Sequence, residues 1–232
     1  MINLILFFIF SYLLGSFPSG YVFTKLSTGQ DVLNVGWRKT SGSNVFRHVG
    51  RWQGLATAVL DIGKSYLAVS LAQILGFSAL GQVISGLLVL IGNNWSIFLK
   101  FSGGRGLGTY GGALIAFSPT IFIFTIIFFT LFSLILNSAL VTFFLFPFVF
   151  LVSVYFNQVQ TIGIFSILCL IPVFIKRLSP VGELFPLKEK FGLLKNRLIF
   201  DNDEARPIKG NKYFFRNEEK NNLPPDYRRP PG

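Results

Sequence analysis

The chain has 232 residues, of which 51% are apolar and only 13% charged, and it carries 28 phenylalanines and a formal net charge of +11. This balance excludes a soluble domain folded round one large core, and the lack of a basic stripe interleaved with aromatics argues against nucleic acid as a partner. One cysteine, Cys169, and one histidine, His48, exclude an internal disulfide framework and a Cys/His metal cluster, so no metal centre of that kind is expected.

Seven apolar segments follow one another, at about 2–23, 54–75, 79–99, 107–118, 119–136, 138–156 and 159–175. Most approach the ~20 residues that cross ~30 Å of hydrocarbon as a helix. The first lacks a basic region before it, so it reads as a retained membrane helix rather than a leader. The fourth is short and is parted from the fifth by Ser118-Pro119. Fusing those two would make a segment of about thirty residues, too long for one untilted crossing. The expected fold is an all-α, polytopic membrane bundle of seven helices.

Charge supports that count. Basic residues gather at 24–52 (Lys25, Arg38, Lys39, Arg47, Arg51), at Lys100 and Arg105, and from Lys176 onward. The positive-inside rule puts all three regions in the cytoplasm, so an even number of crossings must separate each pair. Four crossings then lie between Arg105 and Lys176. The N-terminus is expected outside and the tail inside, in a multi-pass protein of the cell's inner (plasma) membrane. Residues 1–176 form the membrane domain in this reading, and 177–232 a basic cytoplasmic tail. The tail's end, rich in proline and charge, is expected to be disordered, and its middle to hold short interfacial helices.

Chemistry is concentrated at the membrane boundaries. Asp31 to Gly50 reads DVLNVGWRKTSGSNVFRHVG, and Phe101-Ser102-Gly103-Gly104-Arg105-Gly106 follows the third segment. Glycines allow backbone N–H groups to approach an anion closely, and arginine adds a planar fork of donors. On its own such a loop is better explained as a flexible turn with one cytoplasmic arginine. Asp61 and Lys64 share a helix face inside the membrane, which points to a structural ion pair turned into the bundle. His48, beside Arg47, is a candidate base of low weight. Trp52 and Trp95 are expected as interface anchors.

At these positions the chain resembles the bacterial acyl-phosphate:glycerol-3-phosphate acyltransferases, the PlsY family. Tyr12-Leu-Leu-Gly-Ser16-Phe-Pro18-Ser-Gly20 is similar to that family's first-helix signature. Asp31-x-x-Asn34-x-Gly36 followed by Ser43-Asn44-x-x-Arg47-x-x-Gly50 matches its first loop in frame and spacing. Leu60-Asp61-x-x-Lys64 matches its second helix, and Gly92 with the Phe101–Gly106 loop matches its second loop. Four departures stand out. Trp37 occupies the place of a family serine considered important to catalysis, and Arg38 and Lys39 follow it. Asn93 stands where the family has histidine, Ser102 and Arg105 replace loop lysines, and Lys176-Arg177-Leu178-Ser179 replaces a His-Arg-Glu-Asn run.

The resemblance implies acyl transfer from an acyl-phosphate to glycerol 3-phosphate, giving lysophosphatidic acid for phospholipid synthesis. It implies a substrate- and phosphate-binding set of Ser43, Asn44, Arg47, Gly103, Gly104, Arg105, Gly106, Ser138 and Lys176. Ser138 corresponds loosely to a family serine near the site, and an ordinary helix-start polar group explains it equally well. No catalytic residue is assigned, because the serine and histidine are both replaced. The resemblance implies acyl-phosphate, glycerol 3-phosphate and membrane lipids as partners, and no metal or nucleotide cofactor. Two other classes stay open: a non-catalytic lipid- or phosphate-binding relative, and a transferase or transporter with a different acceptor.

Overall fold

A computed structural model describes residues 2–178 and Gly192. The elements among these residues are all helical, as expected. The interfacial helices and extended end expected in the tail lie outside the described residues.

The first apolar segment is two helices, α1 (Ile2–Ser16) and α2 (Ser19–Thr28). Pro18 has no N–H to return to the preceding turn, so the helix breaks there and releases carbonyls inside the bundle. Other donors replace it. Lys64 Nζ donates to Phe17 O at 2.9 Å and to Gly15 O at 3.3 Å, and Ser96 Oγ donates to Ser16 O at 2.5 Å. Lys64 Nζ also lies 2.9 Å from Asp61 Oδ1, which accepts from Ser19 Oγ at 2.6 Å. Asp61 and Lys64 are 5% and 6% exposed, so the ion pair read from the sequence forms, and it clamps the break in the first span.

The stretch 29–50 is more ordered than an open loop. Gly29, in the left-handed region at φ 70°, closes α2, and its N–H donates to Lys25 O. A 3-10 turn at Val32–Asn34 and a short helix α3 (Gly42–His48) lead into α4 (Arg51–Ile74). A Schellman turn ends α4: Phe77 N–H donates to Ala72 O and Gly76 N–H to Gln73 O, both at 3.0 Å. Ser78 then caps α5 (Ala79–Asn94) by accepting from Gly81 N–H at 3.3 Å. The third segment, expected to 99, leaves regular helix at Asn94 and ends in a 3-10 turn, Ile97–Leu99.

The split at Ser118-Pro119 is real. It separates α6 (Leu107–Phe117) from α7 (Pro119–Ile135), with Ser118 Oγ accepting from Ile121 N–H and proline in the first turn. Asn137 caps α8 (Ser138–Tyr155). A π-helical stretch, Val159–Gly163, opens into α9 (Ile164–Leu178), so the last helix runs past the expected 175 and through Lys176 and Arg177. Among the described residues, five spans are long and apolar enough to cross a membrane: Asn3–Thr28, Arg51–Ile74, Ala79–Leu99, Ser138–Tyr155 and Val159–Leu178. The helices α6 and α7 are shorter, 11 and 17 residues. At 1.5 Å per residue they reach only ~16 and ~26 Å.

Close backbone approach sets the packing. A Cβ at Gly15 would collide with the Val89 backbone, and one at Gly112 with Ile62 O, so α1 lies tight on α5 and α6 on α4. Small residues at crossings are the usual means of helix association in lipid. Tyr110 of α6 centres the apolar core, its ring stacked on Phe165 at 5.4 Å and tilted against Phe146 at 4.8 Å. Its hydroxyl is 2.7 Å from Ser166 Oγ, which removes the penalty of burying the phenol. Phe7 meets Phe77, and Gln73 Nε2 donates to Ala116 O, at one end of the bundle. Arg177 donates to Ala139 O, and Lys176 to Phe101 O, at the other.

Candidate functional site: a cationic mouth at one end of the bundle

Trp37 joins two loops far apart in sequence. The Arg105 guanidinium sits 4.8 Å from the centre of its ring, and the Arg47 guanidinium 5.2 Å. His48 meets the same indole edge-on at 5.3 Å, and its Nδ1 is 3.2 Å from Asn44 O. The indole reaches this position because the backbone around it is tied down. Gly36 and Arg38, on either side, both have positive φ, at 57° and 54°. Trp37 N–H donates to Asn44 Oδ1 at 2.8 Å, while Asn44 Nδ2 donates to Lys39 O at 2.8 Å and Val35 O at 3.1 Å. Asn44 is fully buried, so its amide organises the first loop.

The glycine-rich loop is held as firmly. Gly104 N–H donates to Asn93 O at 2.8 Å, and Ser96 N–H to Ser102 O at 3.1 Å. Thr40 N–H reaches Gly103 O at 3.5 Å, which lays the first loop on the second. Gly106 at φ 78° turns the chain into α6. Lys100 and Phe101 also have positive φ, which is costly for a residue as bulky as phenylalanine. The turn sends the Phe101 carbonyl toward Lys176, whose Nζ donates to it at 3.4 Å and lies 5.5 Å from the Trp95 ring centre. Lys39 is close enough for its charge to act on Lys176.

The expected residues therefore fall into three groups. Arg47, Arg105 and Lys176 come to one mouth, with Gly103, Gly104 and Gly106 forming the loop beneath Arg105. Ser43 is exposed on α3, its Oγ 3.4 Å from Ser41 Oγ. Ser138 is exposed at the start of α8, one residue before the carbonyl that accepts from Arg177 NH1 at 2.7 Å. The backbone N–H of Gly104 is engaged by Asn93 O, so the nest read from the glycines is narrower than the sequence suggested.

Sequence reasoning treated Trp37 only as a missing serine. The tryptophan's place in a run of cations, Trp37-Arg38-Lys39, was the available signal that it meets guanidiniums. Trp95 was read as an interface anchor, but it is only partly exposed and lies 5.5 Å from Lys176 Nζ, while Trp52 is 80% exposed.

The family model for glycerol-3-phosphate acyltransferase matches residues 5–185. The chain is 41% identical over 109 residues to glycerol-3-phosphate acyltransferase 1 of Dehalococcoides mccartyi, covering 47% of this chain and 52% of that protein. It is 33% identical over 129 residues to the glycerol-3-phosphate acyltransferase of Enterococcus faecalis, covering 56% and 59% of the two chains. The chain thus spans between half and two thirds of the length of these curated relatives. A crystal structure of PlsY (YgiH), an integral membrane glycerol 3-phosphate acyltransferase in its glycerol 3-phosphate form, superposes with a TM-score of 0.70 over 90% of this chain and 96% of that one. At 23% identity that likeness concerns the fold. With the family model spanning the described bundle and both loops of the mouth, the chain belongs to the glycerol-3-phosphate acyltransferase family.

Proposed function

We propose that the protein transfers an acyl group from acyl-phosphate to glycerol 3-phosphate, yielding lysophosphatidic acid and inorganic phosphate in phospholipid synthesis. One observation carries this beyond family membership: Arg47, Arg105, Lys39 and Lys176 are drawn from three separate stretches of chain to one end of an apolar bundle. Of the carboxylates in residues 2–178, Asp61 is held by Lys64 and Ser19, and Asp31 accepts from Leu33 N–H. A mouth of this kind suits a phosphate whose acyl chain stays in the bilayer.

In this reading Arg47, Arg105 and the Gly103–Gly106 loop bind phosphate groups, with Ser43, Ser138 and Lys176 lining the approach. Asn44 contributes by shaping the loop. The 1-hydroxyl of glycerol 3-phosphate attacks the acyl carbonyl, and the bond from that carbon to the phosphate oxygen breaks. The departing phosphate takes the hydroxyl proton, so no Ser–His pair is needed. Orientation and charge stabilisation supply the rate, since acyl-phosphate is already activated. The bundle crosses the inner membrane seven times, with α6 and α7 completing the count. The mouth and the tail after α9 face the cytoplasm, and the N-terminus faces outside.

Purified protein given labelled acyl-phosphate and glycerol 3-phosphate should release phosphate and form lysophosphatidic acid. Binding of both without product would favour a non-catalytic relative, and product only with another acceptor would favour an altered transferase.

A further inference from the structure

We infer that Trp37 is a positioning residue that holds Arg47 and Arg105 together as one phosphate clip. The inference rests on the phosphate-binding reading of this mouth and assigns it a part that the serine of its relatives cannot play. A serine hydroxyl at this position would meet a ligand directly. An indole has one N–H donor and a large electron-rich face, so its useful surface is for cations.

Three features show a built arrangement. The Trp37 backbone is fixed by Asn44 Oδ1 at 2.8 Å and by positive φ at Gly36 and Arg38. Its ring has Arg105 at 4.8 Å, Arg47 at 5.2 Å and the His48 ring at 5.3 Å. Arg47 belongs to α3, whereas Arg105 belongs to the loop before α6, so the indole joins elements that the helices alone do not bring together. Two like charges drawn to one site repel each other. Contact with one aromatic ring offsets that repulsion, because the ring's electron-rich face attracts each guanidinium. Two guanidiniums already held on one ring lose less side-chain freedom when a phosphate binds them.

The consequence is coupling. With Trp37 in place, Arg47 and Arg105 act on a phosphate as a pair; without an aromatic ring they act separately. The test uses the full-length protein in detergent with inorganic phosphate and with glycerol 3-phosphate. Trp37→Leu should weaken both ligands about tenfold, a change of ~1.4 kcal/mol, while Trp37→Phe should recover most of the loss. In the parent, Arg47→Lys and Arg105→Lys should be non-additive, and in Trp37→Leu they should become additive. Phosphate should change the tryptophan emission of the parent, and this change should vanish in Trp37→Phe. That optical readout and the Phe rescue keep the test decisive if Trp37→Leu folds poorly. Parent-like affinity in Trp37→Leu, or additive arginine effects in the parent, would overturn the inference while leaving the phosphate site standing. A parent that binds neither ligand would remove the site itself, and the clip with it.

Discussion

Replacing Lys64 by methionine should destabilise the bundle more than any change at the mouth. The substitution keeps side-chain length and apolar stem but deletes the charge. It leaves the Asp61 carboxylate, 5% exposed, with Ser19 Oγ at 2.6 Å as its remaining donor among the described residues. It also frees Phe17 O and Gly15 O, which Lys64 caps at 2.9 and 3.3 Å, and Asn93 Oδ1 at 3.3 Å. Removing one partner of a buried pair costs about 3–5 kcal/mol. For a chain of this size each kcal/mol shifts Tm by roughly 2–4 °C, so Lys64→Met should lower Tm by about 6–20 °C. Asp61→Leu with Lys64→Met removes the uncompensated charge but not the open carbonyls, so about half the loss should return. Thermal unfolding in one detergent, followed by tryptophan emission, gives all three values. A fall of less than ~3 °C for the single variant, or a double variant that melts lower still, would refute the account of the pair as the clamp on the broken first span.

At the mouth, Arg105→Ala should weaken glycerol 3-phosphate binding by about 1.5–3 kcal/mol, and exposed Arg47→Ala by about 1 kcal/mol because solvent screens it; calorimetry with purified protein checks both. Gly112→Ala should cost about 1–3 kcal/mol, since the added methyl meets Ile62 O, whereas Gly63→Ala, with nothing within 4 Å of its Cβ, should be neutral or stabilising by up to ~1 kcal/mol; Tm separates the two. For topology, Ser43→Cys and Lys100→Cys should react with an impermeant thiol reagent from the cytoplasmic side, and Leu75→Cys and Tyr155→Cys from the opposite side. Labelling of positions 43 and 75 from one side would dismiss the seven-crossing arrangement.

Much of the scaffold was legible in the sequence because its determinants are local. Hydropathy over twenty residues marks a span, and an i, i+3 Asp61–Lys64 spacing puts both groups on one helix face. Ser118-Pro119 ends one helix and starts the next through a cap and a missing N–H, both contained within four residues. The ordered motifs from Tyr12 to Gly106 pointed to the family for the same reason: each is short and keeps its own spacing.

What the tertiary structure decided is whom those groups meet. Nothing near Lys64 in sequence announces that it also caps Gly15 and Phe17, almost fifty residues earlier, because that depends on where Pro18 breaks the neighbouring helix. Asn44 looked like a ligand-binding amide, yet its geometry assigns it to the carbonyls of Val35 and Lys39 and the N–H of Trp37. The meaning of Trp37 changed most. As a letter in a motif it is a lost hydroxyl, whereas in the folded chain it is the surface on which Arg47 and Arg105 converge. Contacts between loops are set by the crossing of α1 on α5 and α6 on α4, and a crossing is a property of two packed surfaces that no single stretch of sequence carries.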